Sequence, residues 1–185
     1  SSDVCSSDLD VQSTASFDDS AVYLAFSYLG LKNEAEAARV IATVVLNRDN
    51  LLSLLTEVEE LDVAELLEKF KYIKAAEKLY ERLAKSSKHK NKLRALLGTV
   101  RTSQQKNKDE HALQILDKTL ALCEQDDLQE KVKALSLKGE ILAKLKKTDQ
   151  AYQTFEFALK LNAGDERTVC RSLFGMAAVL ELRGE

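Results

Sequence analysis

Not one proline occurs in the 185 residues of this chain, and only six are glycine. A β-sandwich or barrel must reverse direction about every 8–12 residues and uses Gly and Pro to do it. A chain this poor in breakers is left with helices as its main regular structure. Apolar residues at 45% and charged residues at 31% allow a sizeable core and a solvated surface together. The expected fold class is all-α.

The apolar residues recur at helical spacing. Asp19 and Ser20 can cap a helix whose stripe is Ala21, Leu24, Ala25 and Tyr28. After a turn at Gly30, Lys32 and Asn33, a second helix presents Ala37, Ile41, Val44 and Val45. Two amphipathic helices joined by so few residues form an antiparallel hairpin. A clearer pair follows later: Val132, Leu135, Gly139 and Leu142 over 128–145, a turn at Lys146–Asp149, then Ala151, Phe155, Ala158 and Leu159. Gly139 inside a helix costs about 1 kcal/mol relative to alanine, which a close helix crossing explains.

That second pair resembles the tetratricopeptide repeat, a unit of roughly 34 residues with the pattern W-x2-L-G-x2-Y, A-x3-F and a final P. Here the matching residues are Leu135, Lys138, Gly139 and Leu142, then Ala151, Phe155 and Ala158, with Ala163 in the place of the proline. Degenerate copies are Ala21-x2-Leu24-Ala25-x2-Tyr28 with Ala37-x3-Ile41, and Val63-Ala64-x2-Leu67 with Ala76-x3-Tyr80. Two more are Leu97-Gly98 with Ala112-x3-Leu116, carrying about two extra turn residues, and Leu173-x2-Met176-Ala177-x2-Leu180. Units start near 18, 57, 91, 132 and 170, the last one truncated. Residues 18–185 are expected to form the array. Residues 1–17 are a disordered or artefactual leader whose first ten, SSDVCSSDLD, resemble a translated adaptor remnant. The chain reads as a fragment. An irregular helical bundle or another α-solenoid family is the structural alternative.

The resemblance implies a right-handed α-solenoid of antiparallel helix hairpins, which buries a continuous core and lines an inner surface with the first helices of successive units. Its implied function is that of a scaffold holding a partner peptide or helix in that groove. The inner face would include Val22 and Phe26; Lys92, Ala95, Thr99 and Thr102; Lys133, Ser136, Glu140 and Lys144; and Arg171, Phe174 and Ala178. Lys92, Lys133 and Arg171 would form a basic ladder favouring acidic segments of a protein partner. Val22 and Phe26 stand where chaperone-binding members of the family carry a carboxylate clamp, so that specificity is not expected.

The same residues argue against catalysis. His89 and His111 match no metal-binding spacing, the glycines are single, and no Ser lies in a G-x-S-x-G elbow. Neither enzyme activity nor a cofactor is expected. Cys5, Cys123 and Cys170 form no CxxC pair, so a reducing, cytoplasmic setting is expected; Cys5 falls in the leader, and Cys123 and Cys170 are expected to be buried or half-buried structural thiols. No apolar run reaches roughly 18 residues, so membrane insertion is not expected.

Charge is clustered nonetheless. Seven acids and no base lie between Asp49 and Glu68, and eight Lys/Arg and no acid between Lys85 and Lys108. The alternative function is therefore nucleic-acid binding through the basic 85–108 segment. It is the weaker one, because single-strand binding adds aromatic platforms that this segment lacks. A self-associating spacer is a third reading.

Overall fold

The computed structural model describes residues 24, 25, 27, 28, 30–47, 55–85, 88–161 and 165–184. Among these there is no strand, and eight helices follow in order: α1 (Glu34–Asn47), α2 (Glu57–Lys69), α3 (Ile73–Leu83), α4 (His89–Gln105), α5 (Asp109–Leu122), α6 (Leu128–Lys144), α7 (Thr148–Lys160) and α8 (Glu166–Arg183). Leu24, Ala25, Ser27, Tyr28 and Gly30 are helical as well. The all-α expectation holds. The proposed leader and the caps Asp19 and Ser20 lie outside the described residues.

One turn is used four times. Lys32, Lys71, Asn107 and Lys146 adopt left-handed φ values of 58°, 67°, 56° and 58°. Around each, the next residue's N–H reaches back five positions: Asn33 to Tyr28, Tyr72 to Leu67, Lys108 to Ser103 and Lys147 to Leu142, at 2.8–2.9 Å. This is a Schellman closure, which satisfies carbonyls that a helix end otherwise leaves open. The same reversing residue then starts the following helix, accepting from Ala37, Ala76, Ala112 and Ala151. All four alanines are fully buried. Any larger side chain there would hold the two helices of the hairpin apart.

The third hairpin corrects the expected register. Its turn at 106–108 matches 145–147 residue for residue and carries no extra length. Val100 therefore stands seven residues before its turn residue, as Gly139 does, and Leu97-Gly98 is not the counterpart of Lys138-Gly139.

The chain divides into two compact units, residues 1–80 and 81–185. In the first, α1 packs on α2. The buried face of α1 is Ala37, Ala38, Ala42 and Val45, while Ile41 and Val44 are half-buried. Thr56 and Glu59 form a reciprocal capping box at the start of α2, and the Thr56 N–H holds the Glu59 carboxyl below its usual range. The Tyr80 hydroxyl donates to Glu68 at 2.9 Å, and Lys78 donates to the Val45 carbonyl at 2.9 Å.

In the second unit each helix packs on the next, and in addition α4 packs on α6 and α6 on α8. One cluster unites Leu97, Val100, Ala112, Ile115, Leu116, Ala134, Leu137 and Ile141 from α4, α5 and α6. Another unites Leu142, Ala151, Phe155 and Val179 from α6, α7 and α8. The Phe155 ring is the centre of this second layer. A Cβ added at Gly139 would lie 2.6 Å from it and one at Gly175 2.4 Å from it. The close crossing expected at Gly139 is present, and Gly175 forms its other wall.

Candidate binding surface

An ion pair recurs between successive hairpins: Glu34 with Lys69, Asp109 with Lys144 at 2.7 Å, and Asp149 with Arg183 at 2.6 Å. Each joins the first turn of one hairpin's second helix to the last turn of the next hairpin's first helix. The acids sit at positive helix ends and the bases at negative ones, so each pair also complements two helix dipoles. Arg183 additionally lies 4.9 Å over the Tyr152 ring.

The same economy of charge governs the residues expected to face a partner. Arg171 on α8 makes a two-pronged contact with Glu140 on α6, with Nη2 donating to Oε2 at 2.9 Å. Lys133 lies 3.5 Å from Asp165, the N-cap of α8. The Thr168 N–H and then Lys133 hold that carboxyl below its usual range. Lys144 reaches Asp109 and, at 3.3 Å, the Asn107 amide oxygen. The basic ladder is thus internally matched at two of its three rungs. Lys92 is half-buried beside His89, whose protonation it opposes.

Of the expected groove residues, the structure joins Glu140 on α6 to Arg171 on α8 and Lys133 to the N-cap of α8, whereas Lys144 pairs with Asp109 of the preceding hairpin. It withdraws Thr99, whose hydroxyl donates to the Ala95 carbonyl at 3.0 Å, together with Ala95, Thr102 and Ser136, all of them buried. Set by the turns, the α4 counterparts of Lys133, Ser136, Glu140 and Lys144 are Arg94, Leu97, Arg101 and Gln105. Ser136 and Ser172 meet at 2.6 Å, a buried polar bridge between α6 and α8. Phe174, by contrast, is 77% exposed. Phe26 and Val22 lie outside the described residues.

In the basic 85–108 segment, Lys90, Arg94 and Arg101 share one side of α4 by helical spacing, and the other bases lie elsewhere. Lys88 and Lys108 flank the two ends of α4, Arg94 and Arg101 are half-buried along it, and Lys106 sits in a turn. Of the histidines, His89 bonds Asp127 Oδ2 at 2.6 Å and His111 lies 3.3 Å from the Ser103 hydroxyl. Asp127 raises the His89 pKa, against an opposing effect of desolvation. The Glu124 N–H and then His89 lower that of Asp127. Cys123 is half-buried and its thiol is pushed up by burial, whereas Cys170 is exposed. Among the described residues no group of His, Cys, Asp or Glu could hold a metal ion, and no helix is long and apolar enough to cross a membrane.

Comparison with protein-family models, with curated proteins and with solved structures returned no match to this chain.

Proposed function

We propose that this chain is a tetratricopeptide-like scaffold for protein–protein interaction, a right-handed solenoid that holds a partner polypeptide against its first helices α4, α6 and α8. The observation that carries the reading is the repeated hairpin: one turn geometry and one buried alanine used four times, with alternate helices α4, α6 and α8 packed in sequence. Such an array offers a preformed surface, so a bound peptide meets little ordering cost in the scaffold. Its side chains are structural and binding rather than catalytic, and no cofactor enters the proposal. A cytoplasmic setting suits the free thiols Cys123 and Cys170. Because Lys133 and Arg171 already have acidic neighbours, preference for acidic segments is modest and acts on association rate and salt sensitivity.

Peptides selected for binding to the 185-residue chain test this reading. Replacing Lys133, Glu140 and Arg171 together by Ala removes polar contacts without leaving like charges adjacent. Binding should weaken by about tenfold or more while the helical signal stays unchanged. The control replaces Lys85 and Lys88, which precede α4, by Ala and should keep binding. Loss in the control alone defeats the groove model. Capture of single-stranded poly(U) by the wild type, lost in the control, would put nucleic-acid binding in its place.

A further inference from the structure

Two anchors fix which positions of α4, α6 and α8 are equivalent, and they agree. One is the left-handed residue that closes each helix: Asn107, Lys146 and Gly184. The other is the packing layer, in which Val100, Leu116 and Leu137 correspond to Gly139, Phe155 and Gly175. Both place Arg94, Lys133 and Arg171 in one row, thirteen residues before the turn, and Arg101, Glu140 and Ala178 in another, six residues before it.

Between α6 and α8 the two rows meet as an ion pair. Arg171, from the first row, holds both carboxylate oxygens of Glu140, from the second. Between α4 and α6 the same two places belong to Lys133 and Arg101, and both are basic. Lys133 meets Asp165 through one oxygen at 3.5 Å and keeps 41% of its side chain exposed. Arg101 is half-buried and has contacts of its own. What differs between the two steps is the sign of the charge that the earlier helix offers to the later one. Like charges on neighbouring helices repel, and an anion set between them is attracted by both. A carboxylate from outside the chain would do for Arg101 and Lys133 what Glu140 does for Arg171.

We infer that the step from α4 to α6 is a subsite for one acidic side chain of the bound polypeptide, held by Arg101 and Lys133. The inference rests on the scaffold reading above and places its acidic preference at Arg101 rather than on α8, where Glu140 already answers Arg171. The guanidinium offers a planar fork that matches a carboxylate, and the lysine adds a mobile second charge. A nucleic-acid backbone fits less well, because it presents a continuous row of phosphates and needs a continuous basic track. Here the track is interrupted by two acids, Glu140 in the row of Arg101 and Asp165 beside Lys133. One carboxylate fits between them, and a row of anions does not.

Peptides selected on the 185-residue chain are the probes, each made in its acidic form and with single acids replaced by the neutral amide or by lysine. For one acid of a bound peptide, the amide form should bind the wild type about tenfold more weakly. Arg101→Glu copies the Glu140–Arg171 arrangement into the earlier step, so its helical signal and melting temperature should stay at the wild-type level. It should bind the acidic peptide about tenfold more weakly than the wild type does, the amide form equally well and the lysine form more tightly. Arg101→Lys should keep the preference for the acid. A purely structural role for Arg101 would weaken all three peptide forms alike, and that result overturns the subsite. Equal binding of the acidic and amide forms by the wild type overturns it as well. In both cases the groove itself stands if the triple variant of Lys133, Glu140 and Arg171 still loses binding. If the triple variant binds normally, the scaffold reading falls and takes the subsite with it. Poly(U) held by the wild type and released by Arg101→Glu, with no discrimination among the peptides, overturns the subsite in favour of a phosphate backbone.

Discussion

Two adjacent layers of the second unit solve one packing problem in opposite ways. Where α7 enters, the intruding residue is Phe155 and the residues that receive it are Gly139 and Gly175. Where α5 enters, the intruder is Leu116 and the residues at the same distances from their turns are Val100 and Leu137. A large ring meets two bare backbones, and a medium side chain meets two medium ones. The two layers fill their space with different distributions of side-chain volume, the glycine layer through close backbone approach to the ring. The lesson is that the glycines of this chain follow their partner. Neither is a signature of the fold, since the neighbouring layer does without both.

This account fails first at Phe155. Truncation to Ala should cost about 3–5 kcal/mol, because the ring is wholly buried and flanking glycines cannot close the void. Gly139→Leu should also destabilise by several kcal/mol, since Gly175 stops the ring from retreating. Urea unfolding of the two variants provides the check. If both unfold near the wild-type midpoint, the layer is not packed as described.

Moving the large residue to the other layer sharpens the comparison. Leu116→Phe should cost about 1–3 kcal/mol by overpacking against Val100 and Leu137. Adding Val100→Gly should return part of that loss. A double-mutant cycle measures the coupling, and additive effects would show that the two positions do not share a space.

The turns respond more gently and alike in both layers. Asn107 and Lys146 hold left-handed backbone without being glycine. Lys146→Gly should stabilise by about 0.5–1 kcal/mol, with the entropy of glycine in the unfolded chain limiting the gain. Asn107→Gly should gain less, because Asn tolerates that conformation better. A fall in melting temperature for Lys146→Gly would contradict the turn geometry.

The smallest effect separates the layers by pH. Asp127 and Asp165 both stand at helix N-caps, but Asp165 accepts from the Thr168 N–H and pairs with Lys133, whereas Asp127 makes no side-chain cap bond, accepts from the Glu124 N–H and pairs with His89. His89 has a raised pKa, so its stabilising contribution is complete below its ordinary value of 6.5 and is lost as pH rises through the folded value. Asp127 and Asp165 have lowered values, so theirs is present above the ordinary 3.8 and is lost as pH falls through the folded values. Both partners of the His89–Asp127 contact therefore contribute fully between about pH 4 and 6.5. Hydrogen exchange, corrected for its intrinsic pH dependence, should show protection around residues 124–131 falling above neutrality and protection around 165–169 holding. His89→Gln should abolish that difference. An equal response at both caps would remove the pair as its cause.

Much of this was legible in advance. Absence of proline and the 3.6-residue spacing of apolar positions were enough for the helices and for the buried faces around Ala112, Leu116, Ala151 and Phe155. The crossing at Gly139 was readable too, because glycine inside a strong helical pattern has a cost that only close approach explains. The left-handed turns were not, since Lys and Asn carry no glycine-like signal. Nor was the partnership of Gly175 with Phe155, or the capping box hidden in the acidic run at Thr56–Glu59.

What the sequence by itself determined is the helical class and the inward face of most helices. These follow from local propensity and from periodicity, which act within one helix. Only the tertiary structure decided that Val100 rather than Gly98 is the counterpart of Gly139, that Thr99 and Thr102 are buried, and that Arg171 and Lys133 face Glu140 and Asp165. Those outcomes depend on which residues some thirty positions apart arrive at the same point in space. Periodicity states which side of a helix is apolar, and is silent on which neighbour covers it.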